Sequence, residues 1–369
     1  MMNKFDGKIG LIQRVLPHYR KPFFDALGEA CPGGLSVFAG QAHTNEMIKP
    51  IMSLENAQFT KGRNLHLFKG PLYFCIQLGV LDWLQSCNPD VLIIEANPRY
   101  LSSPKVIRWM HQRKRPVIGW GLGAPPLSGF FASIRDKKRK NFISQFDALI
   151  AYSQSGAKEY ARLGFPKDRI FVAPNAVTPP PPHPIPDRPV PDKDQPGRII
   201  FVGRLQERKN LDNLIIACSH LPKQLQPELV IVGDGPDRVR LAKMAERFYP
   251  RTVFTGALYG DNLAKQFRKA DLFVLPGTGG LAIQQAMSYA LPVIAAEADG
   301  TQEDLIRAEN GWQVPADNIT ALESTLIEAL KNISKLREMG NQSYRIVAEE
   351  INLKKMVEVF VEALNRSTS

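Results

Sequence analysis

Residues 178–197 carry PPPPHPIPDRPVPDKDQPG, and this stretch sets how the rest of the chain can fold. Proline fixes φ and lacks a backbone donor, so neither a helix interior nor a central strand can run through it. It reads as a semi-rigid linker of extended backbone. A proline-rich ligand for a partner module fits the same composition. Cutting 369 residues there leaves two pieces of ordinary domain size.

Both pieces repeat one pattern. Before the linker, short apolar strands are predicted at 8–15, 35–39, 91–94, 116–119, 148–152 and 170–173. Helices are predicted from Pro22 onward and over 71–85, 103–113 and 130–142. After it, strands fall at 198–202, 228–232, 252–255, 272–275, 293–296 and 311–314. Helices fall at 210–221, 237–248, 281–289, 318–331 and 353–364, with Asn318 as an N-cap. Such alternation argues for an α/β chain with two doubly wound, Rossmann-like domains. The expected limits are 1–177, a linker over 178–197, and 198–345, with a last amphipathic helix in 346–369. Ligands of such sheets sit beyond the carboxyl ends of the strands, so the domains are expected to face a cleft.

The net charge of +11 suits phosphorylated small molecules, an anionic membrane surface or nucleic acid. The charge gathers in the first half, in RKR from Arg113 and in RDKKRK from Arg135 to Lys140. No apolar run approaches the ~18–20 residues of a membrane span. The first twenty residues hold no apolar signal stretch, so a cytoplasmic protein is expected. Cys31, Cys75, Cys87 and Cys218 have no metal spacing and suit buried thiols in a reducing compartment.

Two segments of the second half carry chemistry. In 271–294, DLFVLPGTGGLAIQQAMSYALPVI, a strand, a glycine turn and a helix follow one another. Orphan backbone N–H groups and the helix dipole favour an anion such as phosphate there, and glycine lets it approach closely. A plain tight turn fits the same residues. In FVGRLQERKN, Arg204 follows a strand and Lys209 precedes a helix, which suits a diphosphate or an ordinary solvated loop. GDGP at 233–236 is a tight turn on either reading.

The order VGRL with KN, VIVGDGP, LP–glycine turn–AM–PVI, GTQEDLI and NGWQVP resembles the family 4 glycosyltransferases. LPHYRKPFF and AYSQSGAKEYARLGFPKDRIFVAPNAV extend the resemblance into the first half. It implies a GT-B fold, an acceptor-binding first domain and a second domain that binds a nucleoside-diphosphate sugar. It also implies a last helix packed on the first domain. By this resemblance Arg204, Lys209 and the N–H groups of Gly279, Gly280 and Leu281 hold the donor diphosphate. Thr255, Gly256 and Ala257 lie near the nucleobase, and Gly277 and Thr278 near the donor sugar. The family's Glu-x7-Glu signature is altered: Gln285 stands for the second Glu and Gly277 for the first. Gln285 can still hydrogen-bond a ribose diol, whereas Gly277 offers no side chain to the sugar. The resemblance implies transfer to a glycan acceptor, often lipid-linked, in capsule, lipopolysaccharide or exopolysaccharide assembly.

A general base is expected from strand ends of the first domain, where His18 and Glu95 stand. A surface loop histidine and a helix-capping carboxylate fit these positions equally well. No Asp-x-Asp pair ends a strand, so no metal ion or other cofactor is expected. FFASIRDKKRKNF interleaves cations with Phe and Ile, which suits a helix on an anionic bilayer at the inner face of the cell membrane. A solvated helix covering the sheet fits it too. No nucleic-acid-binding module surrounds it, and no such partner is expected.

Overall fold

The computed structural model describes residues 4–43, 46, 50–189, 197–298 and 300–368. The chain divides into two compact units, Met1–Val177 with Leu353–Ser369, and Thr178–Asn352.

The first unit holds strands β1 (Ile9–Val15), β2 (Leu35–Gly40), β3 (Gln58–Lys61), β4 (Arg63–Leu67), β5 (Phe74–Leu78), β6 (Val91–Glu95), β7 (Val117–Gly121), β8 (Ala148–Ala151) and β9 (Ile170–Val172). Seven form a parallel sheet in the order β3-β2-β1-β6-β7-β8-β9. Its central run VLIIE is almost wholly buried, as a strand covered on both faces requires. Helices α1 (Lys21–Glu29), α2 (Val80–Cys87), α3 (Ser103–His111), α4 (Ala132–Ile143) and α5 (Gln154–Arg162) connect the strands.

One predicted helix is corrected here. Residues 71–85 are not one helix: β4 and β5 pair as an antiparallel ribbon, and the α-helix is confined to Val80–Cys87. Along β5 burial alternates, with Cys75 and Gln77 inside, a period of two that no helix face accommodates. Gly79, at φ 78°, then turns the chain into α2.

The second unit holds β10 (Arg198–Val202), β11 (Glu228–Val232), β12 (Thr252–Gly256), β13 (Leu272–Leu275), β14 (Val293–Ala296) and β15 (Gly311–Val314), parallel in the order β12-β11-β10-β13-β14-β15. Its helices are α6 (Leu211–His220), α7 (Arg238–Phe248), α8 (Gly260–Lys269), α9 (Leu281–Ser288), α10 (Gln302–Leu305), α11 (Ile319–Leu330) and α12 (Ile333–Arg345). Asn318 caps α11, accepting from the Ala321 N–H at 2.9 Å. The sequence pattern assigns nothing to α8 and α12.

Residues 178–189 of the proline-rich stretch are held on the second unit. Arg188 donates to the carbonyls of Phe267 and Tyr289 at 3.3 and 3.1 Å. Arg337 donates to the Pro189 carbonyl at 3.2 Å and to Asp271 at 2.5 Å. Residues 190–196 of the expected linker lie outside the described residues. Ile346–Glu350 is a π-helical turn of the second unit, so the last helix starts later than 346.

That helix, α13 (Leu353–Thr368), belongs to the first unit. Met356, Val357, Phe360, Val361 and Leu364 recur at helical spacing and are fully buried. Each such side chain contributes roughly 1.5–3 kcal/mol of burial. Phe360 meets Phe23 and Trp120 edge-on, at 4.9 and 5.0 Å between centroids.

Both sheets reverse direction once. From β1 the chain moves outward to β2 and β3, then crosses to β6 on the other side. From β10 it moves to β11 and β12, then crosses to β13. The crevice at the carboxyl ends of such a strand pair is where open α/β sheets bind ligands.

Candidate functional site

At the β10/β13 switch point two loops interlock. The loop after β10 carries Arg204 to Asn210, and the loop after β13 carries Pro276 to Gly280. The Thr278 N–H donates to the Arg208 carbonyl at 3.0 Å, and the Arg208 guanidinium donates to Thr278 Oγ1 at 3.1 Å. Gly277 lies directly under the first loop. A methyl group there would stand 2.7 Å from Lys209 Cα and closer still to the Arg208 carbonyl oxygen. At Gly277 the neighbouring backbone thus fills the space a side chain needs.

Lys209 is buried in this joint, and its Nζ donates to the Thr278 carbonyl. A Cβ on Gly279 would push that Nζ aside, and Gly279 sits at φ 140°, a conformation that favours glycine. Burial first, then the neighbouring Arg208 charge, pushes the Lys209 ammonium down to about 8. Arg204 is partly exposed, and among the described residues its side chain has no hydrogen bond or ion pair. Arg208, next to Lys209, was not singled out by sequence; the RK pair was the available signal.

Helix α9 begins at this joint. Its N-cap, Gly280, supplies no side-chain cap, and no acid stands in the first turn. Among the described residues no acceptor meets the N–H groups of Gly279, Gly280 and Leu281. Buried Gln302 holds the turn by donating to the Gly279 carbonyl at 2.7 Å. Gln285 stands one turn into α9 and is partly exposed. Thr255 and Gly256 end β12, on the far edge of the sheet, and the Gly256 carbonyl accepts from the Gly233 N–H at 2.9 Å. Ala257 beyond them is exposed.

The first unit has its own cluster at the β1/β6 switch point. Glu95 ends β6 and accepts from the Arg14 N–H at 2.7 Å. Desolvation raises its carboxyl above the usual range, against the pull of the Arg14 N–H and the charges of Arg14 and Arg20. Buried Arg20 lies over the rings of Trp120 and Tyr152, 4.9 and 5.5 Å from their centroids. His18 sits nearby in sequence on an exposed 3-10 turn, and among the described residues its ring has no partner. Of the two expected bases, Glu95 joins a cluster and His18 does not.

Solved structures share this architecture along nearly the whole chain. The lipopolysaccharide outer core galactosyltransferase WaaB superposes with a TM-score of 0.70, at 16% identity, over 97% of this chain and 99% of that one. Anabaena HepE in complex with UDP gives 0.68 at 16% identity over the same shares. The fold is GT-B.

Residues 186–346 of this GT-B chain match the family described as glycosyl transferases group 1. The GDP-mannose-dependent alpha-mannosyltransferase of Mycolicibacterium smegmatis is 38% identical over 150 residues, 40% of this chain and 37% of that protein. The putative colanic acid biosynthesis glycosyltransferase WcaL of Salmonella typhimurium is 31% identical over 145 residues, 36% of each. These matches span well under half the length of the curated relatives.

In the GT-B chain the basic segment forms α4, with Phe142 and Ile143 buried at its end. Its start is the opposite: Phe130 is 97% exposed and Phe131 61%, stacked edge-on at 5.3 Å. Ile134, Arg135, Lys137, Lys138 and Lys140 are exposed beside them. Among the described residues no helix is long and apolar enough to cross a membrane, and no group of three His, Cys, Asp or Glu is placed to hold a metal ion.

Proposed function

We propose that this protein transfers a hexosyl group from a nucleoside-diphosphate sugar to a glycan acceptor, in bacterial surface polysaccharide biosynthesis. One observation carries the reading: the uncapped N-terminus of α9 stands at a sheet switch point against Lys209, on the loop that also carries Arg204. Transfer breaks the bond between the anomeric carbon and the phosphate oxygen. The charge that develops on the leaving diphosphate needs donors fixed in advance. The amides of Gly279, Gly280 and Leu281 are fixed by the turn, and Arg204 has its full donor set unused. The acceptor hydroxyl attacks the anomeric carbon and gives up its proton to a general base, for which His18 and Glu95 are the candidates. Gln285 holds the ribose and Thr255 to Ala257 border the base of the nucleotide. Neither a metal ion nor another cofactor enters.

The acceptor is lipid-linked and the protein works at the inner face of the cell membrane, with Phe130 and Phe131 in the interface and α4 on anionic headgroups. Replacing Lys137, Lys138 and Lys140 by Ala should abolish salt-sensitive liposome binding; retained binding would remove this part of the proposal.

The test of the donor role is Arg204→Ala. Nucleotide release from a panel of UDP- and GDP-sugars should fall more than tenfold with the melting temperature unchanged. Unaltered turnover would reject the role. Gly277 favours a second reading, a noncatalytic sugar-nucleotide sensor or assembly scaffold, because no side chain can stand there. Nucleotide binding without turnover across broad donor and acceptor panels would establish that reading instead.

A further inference from the structure

We propose that the carboxyl edge of the first sheet binds an oxyanion, the phosphate or carboxylate of an acceptor, against Arg20. The word acceptor rests on the transferase reading; the anion site does not.

Arg20 is only 9% exposed, yet it has no ion pair among the described residues. Its Nη1 is out of solvent with no hydrogen-bond partner. The nearby Glu95 carboxylate feels the Arg20 charge but makes no ion pair with it, and it accepts from the Arg14 N–H. Arg14 in turn is taken by Glu46, through two bonds of 2.8 and 3.0 Å. The Arg20 guanidinium is held by two aromatic faces, Trp120 and Tyr152, with the Tyr152 hydroxyl and the Glu95 charge in electrostatic reach. Such faces recover only part of the cost of taking a cation out of water.

A second feature points the same way. Helix α1 starts at the next residue with no side-chain cap and no acid in its first turn, so its dipole adds positive potential beside Arg20, although the Lys21 N–H is taken by the His18 carbonyl. Both stand at the β1/β6 switch point, where this sheet type binds ligands. The planar guanidinium fork matches phosphate or carboxylate oxygens in pairs, and a neutral sugar would leave the charge unbalanced.

The test is binding, measured by saturation-transfer NMR and calorimetry with octyl phosphate, sodium glucuronate and methyl glucoside. Octyl phosphate or glucuronate should bind, and methyl glucoside should not. The tighter of the two anions identifies phosphate or carboxylate as the acceptor group. Arg20→Gln should weaken anion binding at least tenfold, whereas Arg204→Ala, in the other unit, should leave it in place. Near-UV circular dichroism checks folding. If Arg20→Gln does not fold, Arg20→Lys replaces it: losing the paired geometry should weaken binding about fivefold. Equal binding by wild type and folded variant, or equal binding of methyl glucoside, would overturn the proposal. Anion binding through Arg20 without any nucleotide-sugar turnover keeps this inference and removes the transferase reading. Turnover without such binding does the reverse.

Discussion

The two sheets share a topology and differ in what stands at their switch points. The second presents main chain: the N–H groups at the start of α9 and a lysine tied into the same turn. The first presents side chains: Arg20, Glu95, Trp120 and Tyr152. Main-chain donors survive substitution and suit a group that every ligand of a class shares, such as a diphosphate. Side chains change with single mutations and suit a group that differs from one ligand to the next. On this comparison the proposed donor edge suits a constant feature, and the proposed anion edge a variable one.

The largest effect should come from Phe360→Ala. The ring packs on Phe23 and on Trp120, which in turn carries Arg20, so the first edge leans on a helix from the far end of the chain. Truncating a buried Phe costs about 3–5 kcal/mol. Calorimetry should show the melting transition of the first unit moved down while nucleotide binding by the second persists. A uniform shift of both would erase the distinction drawn above.

Next in size is Gly277→Glu, which puts a carboxylate where the resemblance to the family 4 glycosyltransferases expects one. Its Cβ enters the space of the Arg208–Lys209 backbone, and overpacking of this kind costs about 1–3 kcal/mol. Both stability and turnover should fall. A gain in turnover would mean that the loop moves aside, and that the glycine marks a lost site rather than a rebuilt one.

Much of the second unit was legible in sequence. Arg198–Val202, Glu228–Val232 and Leu272–Leu275 carry four apolar residues in a row, the first two after one charged residue, and the structure places strands on those bounds. Where burial is partial the signal weakens. Gln58–Lys61 is a polar edge strand, and β5 alternates over too few residues to outweigh the helical pattern that follows it. Gly340 in the middle of α12 breaks up a helix pattern, yet it is there because the Ala290 carbonyl passes where a Cβ would be. Site residues show the same division. Arg204, Lys209 and the glycine turn follow one another along strand–loop–helix units that sequence reveals. Arg20 and Tyr152 come together only because β1, β6, β7 and β8 are neighbours in the sheet, an order that sequence spacing does not give.

The smallest expected effect concerns pH, and it separates the two edges by charge alone. The Lys209 ammonium is lowered from an ordinary 10.5 to about 8 in the folded protein. Between those values the unfolded chain binds the extra proton, so stability should rise with pH across that window. Donor binding should run the other way, since the lysine loses its charge as pH rises through about 8. A bound diphosphate holds the proton and moves the change upward, so the donor KM should rise by less than about tenfold one unit above that value. Lys209→Met should weaken donor binding and flatten the profile. Binding of glucuronate at Arg20 should not follow this profile, because Lys209 belongs to the other unit. A donor KM that is flat from pH 7 to 9 in the wild type would take Lys209 out of the diphosphate site and leave it as a structural part of the turn.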